Sequence, residues 1–343
     1  MLQQPTLEIS GIYEVCIGVD DPVSAIQYWS LFGYRIHETG QLSADQAKRL
    51  YGVNSELQSI RLAHAHADHG WIRLMVWHKT AQEGWGLGSM KVKGNRWATT
   101  LTNDILNILN HVEAAANAGL DIKYTHPHWE VIYNKARKSR PFFDPAIGVR
   151  EMLLLQPLSR QVLFQRFGYT MPHYGSVDEN APWKTSQFTH MGLVIQDDSK
   201  ETLRFYEAVL GLLRVRDDVE TSYESSLAGQ EIFDLQPGEL FFVTAFDEPR
   251  SSAVDSSAVR SGRLYIIRFP EAIPIPSQFE QFQPGCLGMC LYTYRVGSLE
   301  NFRDLLQAST AQNLTPIVSN EFGEKSLSFQ APDGYFWTLL EDR

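Results

Sequence analysis

The sequence predicts an α+β chain built from four β-α-β-β-β modules, and three observations predict it. A strand–helix–strand pattern in GIYEVCIGVDDPVSAIQYWSLFGYRIHE (residues 11–38) recurs in FTHMGLVIQDDSKETLRFYEAVLGLLRVRDD (residues 188–218). Looser copies stand at residues 97–124 and 287–317. Each copy is followed by strand-rich sequence broken by turn residues, and self-similarity of one supersecondary unit marks a modular fold.

In module one, YEVCIGV is rich in β-branched residues and reads as a strand. Asp21 is the expected N-cap of the helix that follows, with Pro22 at its first position. Gly33 ends that helix, YRIHE resumes a strand, and SIRLAHAHADHGWIRLMVWH supplies two strands about a turn. Module two has a strand, an amphipathic helix ending near Gly119, and a closing segment RPFFDPAIGVREMLLLQ.

In module three Asp197 and Asp198 correspond to Asp20 and Asp21, and Gly211 to Gly33. It closes with EIFDLQPGELFFVTAF about a QPGE turn. Module four lacks the helix-ending glycine and closes with SLSFQAPDGYFWTLLE about a PDG turn. Taken in chain order, the modules pair as residues 1–156 and 188–343, with 157–187 as linker; the alternative is a pairing of modules two and three, in which Glu151 and His190 would meet. Residues 251–262 read as a polar surface loop and SGRLYIIRFP as an additional strand.

A length of 343 residues fits two domains. A net charge of −10 argues against nucleic acid as the main partner, because phosphate binding needs a basic face. No run of about 18 apolar residues suggests a membrane span, and the N-terminus lacks a signal-peptide pattern. Cys16, Cys286 and Cys290 are an odd set without zinc-ribbon spacing, expected as buried thiols in a reducing cytoplasm.

One short stretch points elsewhere. His64-Ala-His66-Ala-Asp68-His69 matches the H-x-H-x-D-H pattern of metallo-β-lactamase-like zinc hydrolases. In those proteins the loop enters a helix, whereas here Gly70 and the apolar strand WIRLMVWH follow. The hydrolase is therefore the remote alternative. His64 and His66, two apart, share a sheet face and are expected as substrate-binding residues if that face is the inner one.

HMGLVIQDDSKETLRFYEAVLGL and FQAPDGYFWTLLE resemble the vicinal oxygen chelate superfamily, which includes glyoxalase I, extradiol dioxygenases and bleomycin-resistance proteins. The resemblance spans nearly the whole chain and is strongest in modules one and three. It implies that paired modules curl into two cup-shaped half-barrel domains. It also implies a divalent metal in a cup, held by a first-strand His and a last-strand Glu, with open positions for a substrate carrying neighbouring oxygens. The metal would act as a Lewis acid.

Carried over residue by residue, the pattern is incomplete. His190, seven before Asp197, occupies the first-strand position, and Tyr13, seven before Asp20, occupies it in module one. Glu151, seven after Asp144, occupies the last-strand position of module two, and Thr338 takes that place in module four. The resemblance thus implies His190 and Glu151 as a partial metal set for Fe, Mn, Ni or Zn, with no metal as an equal alternative. Glu151 and Tyr13 are the expected catalytic residues, and Thr338 joins His64 and His66 in binding substrate. An ion pair of Glu151 with Arg137 or Arg140 is the structural alternative for that carboxylate.

The functional expectation is a glyoxalase- or dioxygenase-like protein, a lyase, isomerase or dioxygenase if an enzyme. It would act on a small oxygenated molecule through a degenerate or non-standard metal site. The alternative is metal-free binding of a small molecule. The resemblance also allows a homodimer, since exposed strand edges in that family support dimers, but the sequence does not fix the assembly.

Overall fold

Asp21 begins the first helix as its sequence demands. Its carboxylate accepts the backbone N–H groups of Val23 at 3.0 Å and Ser24 at 3.1 Å, and α1 runs Pro22–Leu31. Gly33 follows at φ 88°, a left-handed turn that glycine adopts without steric cost, and sends the chain into the next strand.

The computed structural model describes residues 9–65, 67–133, 147–197, 199–251 and 259–342. Module one comprises β1 (Ile9–Gly18), α1, β2 (Tyr34–Leu42), α2 (Ala44–Tyr51), β3 (Leu57–His64) and β4 (Trp71–Trp77). Module two comprises β5 (Arg96–Thr102), α3 (Ile105–Asn117), β6 (Lys123–Tyr124), β7 (His128–Tyr133), β8 (Ile147–Gln156) and β9 (Ser159–Phe167). Module three comprises β10 (Thr185–Gln196), α4 (Glu201–Ala208), β11 (Leu213–Ser222), α5 (Leu227–Ile232), β12 (Leu240–Asp247) and β13 (Arg263–Phe269). Module four comprises β14 (Gly288–Val296), α6 (Leu299–Gln307), β15 (Val318–Ser319), β16 (Lys325–Gln330) and β17 (Phe336–Glu341). The repeat is therefore real, with a second short helix added in modules one and three.

Within each module the first strand pairs in parallel with the last, as in β1–β4, β5–β9, β10–β13 and β14–β17. Two modules then join through their first strands, which run antiparallel as β1–β14 and β5–β10. The pairing corrects the chain-order expectation. Modules one and four share an eight-stranded sheet, and modules two and three share a nine-stranded sheet.

The chain leaves the first sheet after β4, builds the whole second sheet, and returns after β13. The two crossing segments lie side by side, with Lys93 N–H donating to the Pro276 carbonyl at 2.9 Å and Gln278 N–H to the Lys93 carbonyl at 2.9 Å. Two segments read differently from sequence change role. Residues 159–167, expected in a linker, are the last strand of module two. SGRLYIIRFP contains β13, the last strand of module three.

Strand alternation then sorts the side chains. On β8, Met152 and Leu154 join the main core with Met191 and Leu193 of β10 and Ile72 and Leu74 of β4. That core packs the outer faces of both sheets and α1, α3, α4 and α6. Leu153 and Leu155 turn the other way, into a separate apolar cluster with Trp97, Phe233 and Phe241. The three cysteines are buried free thiols. Among the described residues, no helix is long and apolar enough to cross a membrane.

Candidate functional site

The inner face of the second sheet lines a half-open cavity of about 440 Å³. Its chemistry follows from period-two alternation on four strands: Val149 and Glu151 from β8, Phe164 and Arg166 from β9, His190 from β10, and Arg263 and Tyr265 from β13 all line it. Arg216 of β11 and Glu130 of β7 also reach it. Gly192, the next inward position of β10 after His190, leaves space for the Trp97 indole. The indole meets His190 edge-on at 6.0 Å between ring centroids.

Glu151 is the acidic group of this cavity with no hydrogen bond from any described residue. Burial, with Glu130 adding to it and Arg216 opposing it, pushes its carboxyl up to about 7. Near neutral pH it therefore exists in both protonation states.

His190 is held differently. Thr189 Oγ1 donates to the Thr99 carbonyl at 3.1 Å, so its 3.1 Å contact with His190 Nδ1 calls for a proton on that nitrogen. The Tyr174 hydroxyl also sits 3.0 Å from Nδ1, which leaves Nε2 with no described partner. Burial, then the guanidinium charges of Arg263, Arg166 and Arg216, hold the imidazole well below its usual range. His190 is thus a neutral ring with an acceptor nitrogen free for a ligand.

The arginines differ in what neutralises them. Arg263 is gripped by both oxygens of Asp247, at 2.5 and 2.8 Å. Arg166 donates to the Tyr174 carbonyl at 2.9 Å and lies over the Phe164, Tyr169 and Tyr174 rings, while its buried Nε has no partner. Arg216 lies 5.6 Å from the centre of the Tyr265 ring.

The corresponding face of the first sheet is filled. Glu14 receives Arg61 at 2.5 Å and Arg73 from the opposite side, and Thr293 donates to it at 2.9 Å. The segment 320–324 inserts Glu321 and Glu324, which take up Tyr51, Ser59, Arg61 and Arg73. Phe322 lies 4.0 Å beneath the Arg61 guanidinium. Burial alone would raise the Glu14 carboxyl, but Arg61 and Arg73 overcome it and keep the group ionised.

The residues expected from sequence therefore separate. Glu151 and His190 reach one cavity, because modules two and three share a sheet. Tyr13 and Thr338 belong to the first sheet: the Tyr13 hydroxyl accepts from Arg295 at 2.8 Å, and Thr338 is bonded to Ser328 at 2.7 Å. His64 ends β3 buried against the Thr185 carbonyl at 3.0 Å and the Tyr34 ring, outside either cup. His66, Arg137, Arg140 and Asp144 lie outside the described residues. The stretch from His64 runs from strand β3 to strand β4 with no helix after it, which removes the context a zinc hydrolase loop needs.

A divalent metal does not fit the second cup's donor set. His190 and Glu151 supply two donors, Glu130 is taken up by Ser226 and the Ala228 N–H, and the charges acting on the imidazole are three guanidinium cations. Among the described residues, no group of three or more His, Cys, Asp or Glu stands ready for a metal. Sequence reasoning missed Arg166, Arg263, Tyr174 and Trp97. The alternations Val162-x-Phe164-x-Arg166 and Arg263-x-Tyr265-x-Ile267 carried the signal, but these stretches were read as linker and extra strand.

No protein-family model and no curated protein matches this sequence. Solved structures do match. Glyoxalase I from Zea mays is 11% identical with a TM-score of 0.53, covering 96% of this chain and 92% of its own. A putative dioxygenase from Bacillus subtilis is 14% identical with a TM-score of 0.55, covering 98% of this chain and 86% of its own. At such identities the likeness is one of fold. The chain has the fold of these glyoxalase I and dioxygenase structures across nearly its whole length.

Proposed function

We propose that this chain takes a small oxygenated organic molecule into the second cup and that Glu151 exchanges a proton with it without a resident divalent metal. The observation that supports this reading is an enclosed carboxyl, free of described hydrogen bonds and poised near neutrality, in a cavity of ligand size. The carboxylate would take a proton from carbon next to a carbonyl, the electron pair moving onto the carbonyl oxygen as an enolate. The guanidinium groups of Arg166 and Arg216 would stabilise that developing charge. Where that carbon carries a hydroxyl, the proton returns to the former carbonyl carbon while the hydroxyl proton passes to the former carbonyl oxygen, which completes an isomerisation with no net gain or loss.

Binding without turnover is the second reading, favoured by the aromatic walls of Trp97, Phe233 and Tyr265, which suffice to hold a planar ligand. One experiment separates the two. The protein is incubated in D2O with a panel of α-hydroxyketones and α-keto acids, and C–H to C–D exchange is followed by NMR. The enzyme reading expects exchange in wild type and its loss in Glu151→Gln. Binding with no exchange in either protein supports sequestration.

A further inference from the structure

We infer that the occupant of the second cup is a planar organic carboxylate, its carboxylate seated on Arg166 and Arg216 and its plane against Trp97. This rests on the reading of that cup as the ligand site and names the ligand's class.

The charge inventory of the cavity is the first argument. Three guanidinium groups line it beside the carboxyls of Glu151 and Glu130; Asp247 pairs with Arg263, and Glu130 is held by Ser226 and the Ala228 N–H. Among the described residues no carboxylate forms an ion pair with Arg166 or Arg216, although the Nε of Arg166 is sealed from water. Desolvation of that Arg166 nitrogen without a counter-ion is costly and a bound anion would offset it, while Arg216, which is exposed, lines the same cavity and can meet the same carboxylate. The fork of a guanidinium matches a carboxylate through paired N–H donors. Phosphate sites draw instead on free backbone N–H groups at helix N-termini, whereas this cavity's charged residues stand on paired strands.

The shape of the floor is the second argument. Trp97 is 4% exposed, and its indole Nε1 has no hydrogen-bond partner. Gly192 forgoes a side chain directly over that ring, since a Cβ there would lie 1.8 Å from Cε2. Phe233 meets the same indole at 6.0 Å between centroids and Tyr265 at 6.5 Å. A flat body fits against such rings. The cavity of about 440 Å³ has room for a substituted single ring.

The test is calorimetric titration of the full chain with benzoate, its neutral isostere benzamide, and the non-planar cyclohexanecarboxylate. Benzoate is expected to bind about tenfold or more tighter than either analogue, with a similar loss in Arg166→Gln. Equal binding of benzoate and benzamide overturns the carboxylate, and equal binding of cyclohexanecarboxylate overturns the planar body. Either result leaves the cup as a ligand site. Failure of all three to bind, together with absence of deuterium exchange, brings down the reading of the cup as well. Should Arg166→Gln not fold, the wild-type comparison still decides.

Discussion

A Cβ on Gly192 would lie 1.8 Å from Cε2 of Trp97 and 2.2 Å from its Nε1, so the strand yields a side chain where the indole crosses it. Trp97 cannot step aside cheaply, because His190, Phe233 and Tyr265 surround the same ring. Gly192→Ala should therefore destabilise the protein by about 1–3 kcal/mol through overpacking. Denaturant unfolding measures it, and unchanged stability would contradict the placement of the indole.

The first cup makes an opposite demand. Glu14 is fully buried between Arg61 and Arg73, so Glu14→Gln removes the carboxylate they share and leaves Arg61 to Glu38 and Glu324 and Arg73 to Glu321. Removing one partner of such a network should cost about 3–5 kcal/mol. A variant that folds should still bind ligand in the second cup. Denaturation with benzoate calorimetry checks both parts, and loss of binding by a folded Glu14→Gln would place the ligand in the wrong sheet.

Glu151 gives stability a pH dependence of definite sign. Its folded carboxyl sits near 7 against an ordinary value of 4.5, so between those values the folded state holds more protons than the unfolded chain. Stability from this group is full below pH 4.5, falls as pH rises through 7, and levels above it, a loss of about 3 kcal/mol in all. Burial also pushes Asp333 up to about 6, which slopes the same way. The comparison is therefore wild type against Glu151→Gln, whose curve should be flatter across this window. Parallel curves would refute the assignment.

Metal addition tests the donor set. With two donors and three guanidinium groups around His190, Fe(II), Mn(II), Ni(II) and Zn(II) should leave the thermal midpoint unchanged. A rise abolished by His190→Ala would restore the metal site that the sequence resemblance implied.

Much of the fold was legible, and the reasons are local. Asp21, Pro22 and Gly33 mark helix boundaries through capping and backbone geometry, which need no tertiary context. The module pairing was not legible, because every first strand presents a similar apolar pattern and any two could join. The last strands of modules two and three escaped for a different reason. RQVLFQRF flanks a short apolar run, Val162-Leu163-Phe164, with arginine and glutamine, residues that usually mark solvent-facing positions. Here Arg166 turns into a cavity, so the polar positions were the informative ones. Glu151 and His190 were found through the family pattern, yet their environment, three arginines and Glu130, came only from strands distant in sequence.

The most direct test of the account is the pH profile of substrate C–H deuterium exchange on chelator-treated protein. The account predicts exchange that survives chelation, rises with pH through about 7 as Glu151 ionises, and vanishes in Glu151→Gln. Exchange that appears only when a divalent metal is restored, or that keeps its profile in Glu151→Gln, would contradict it.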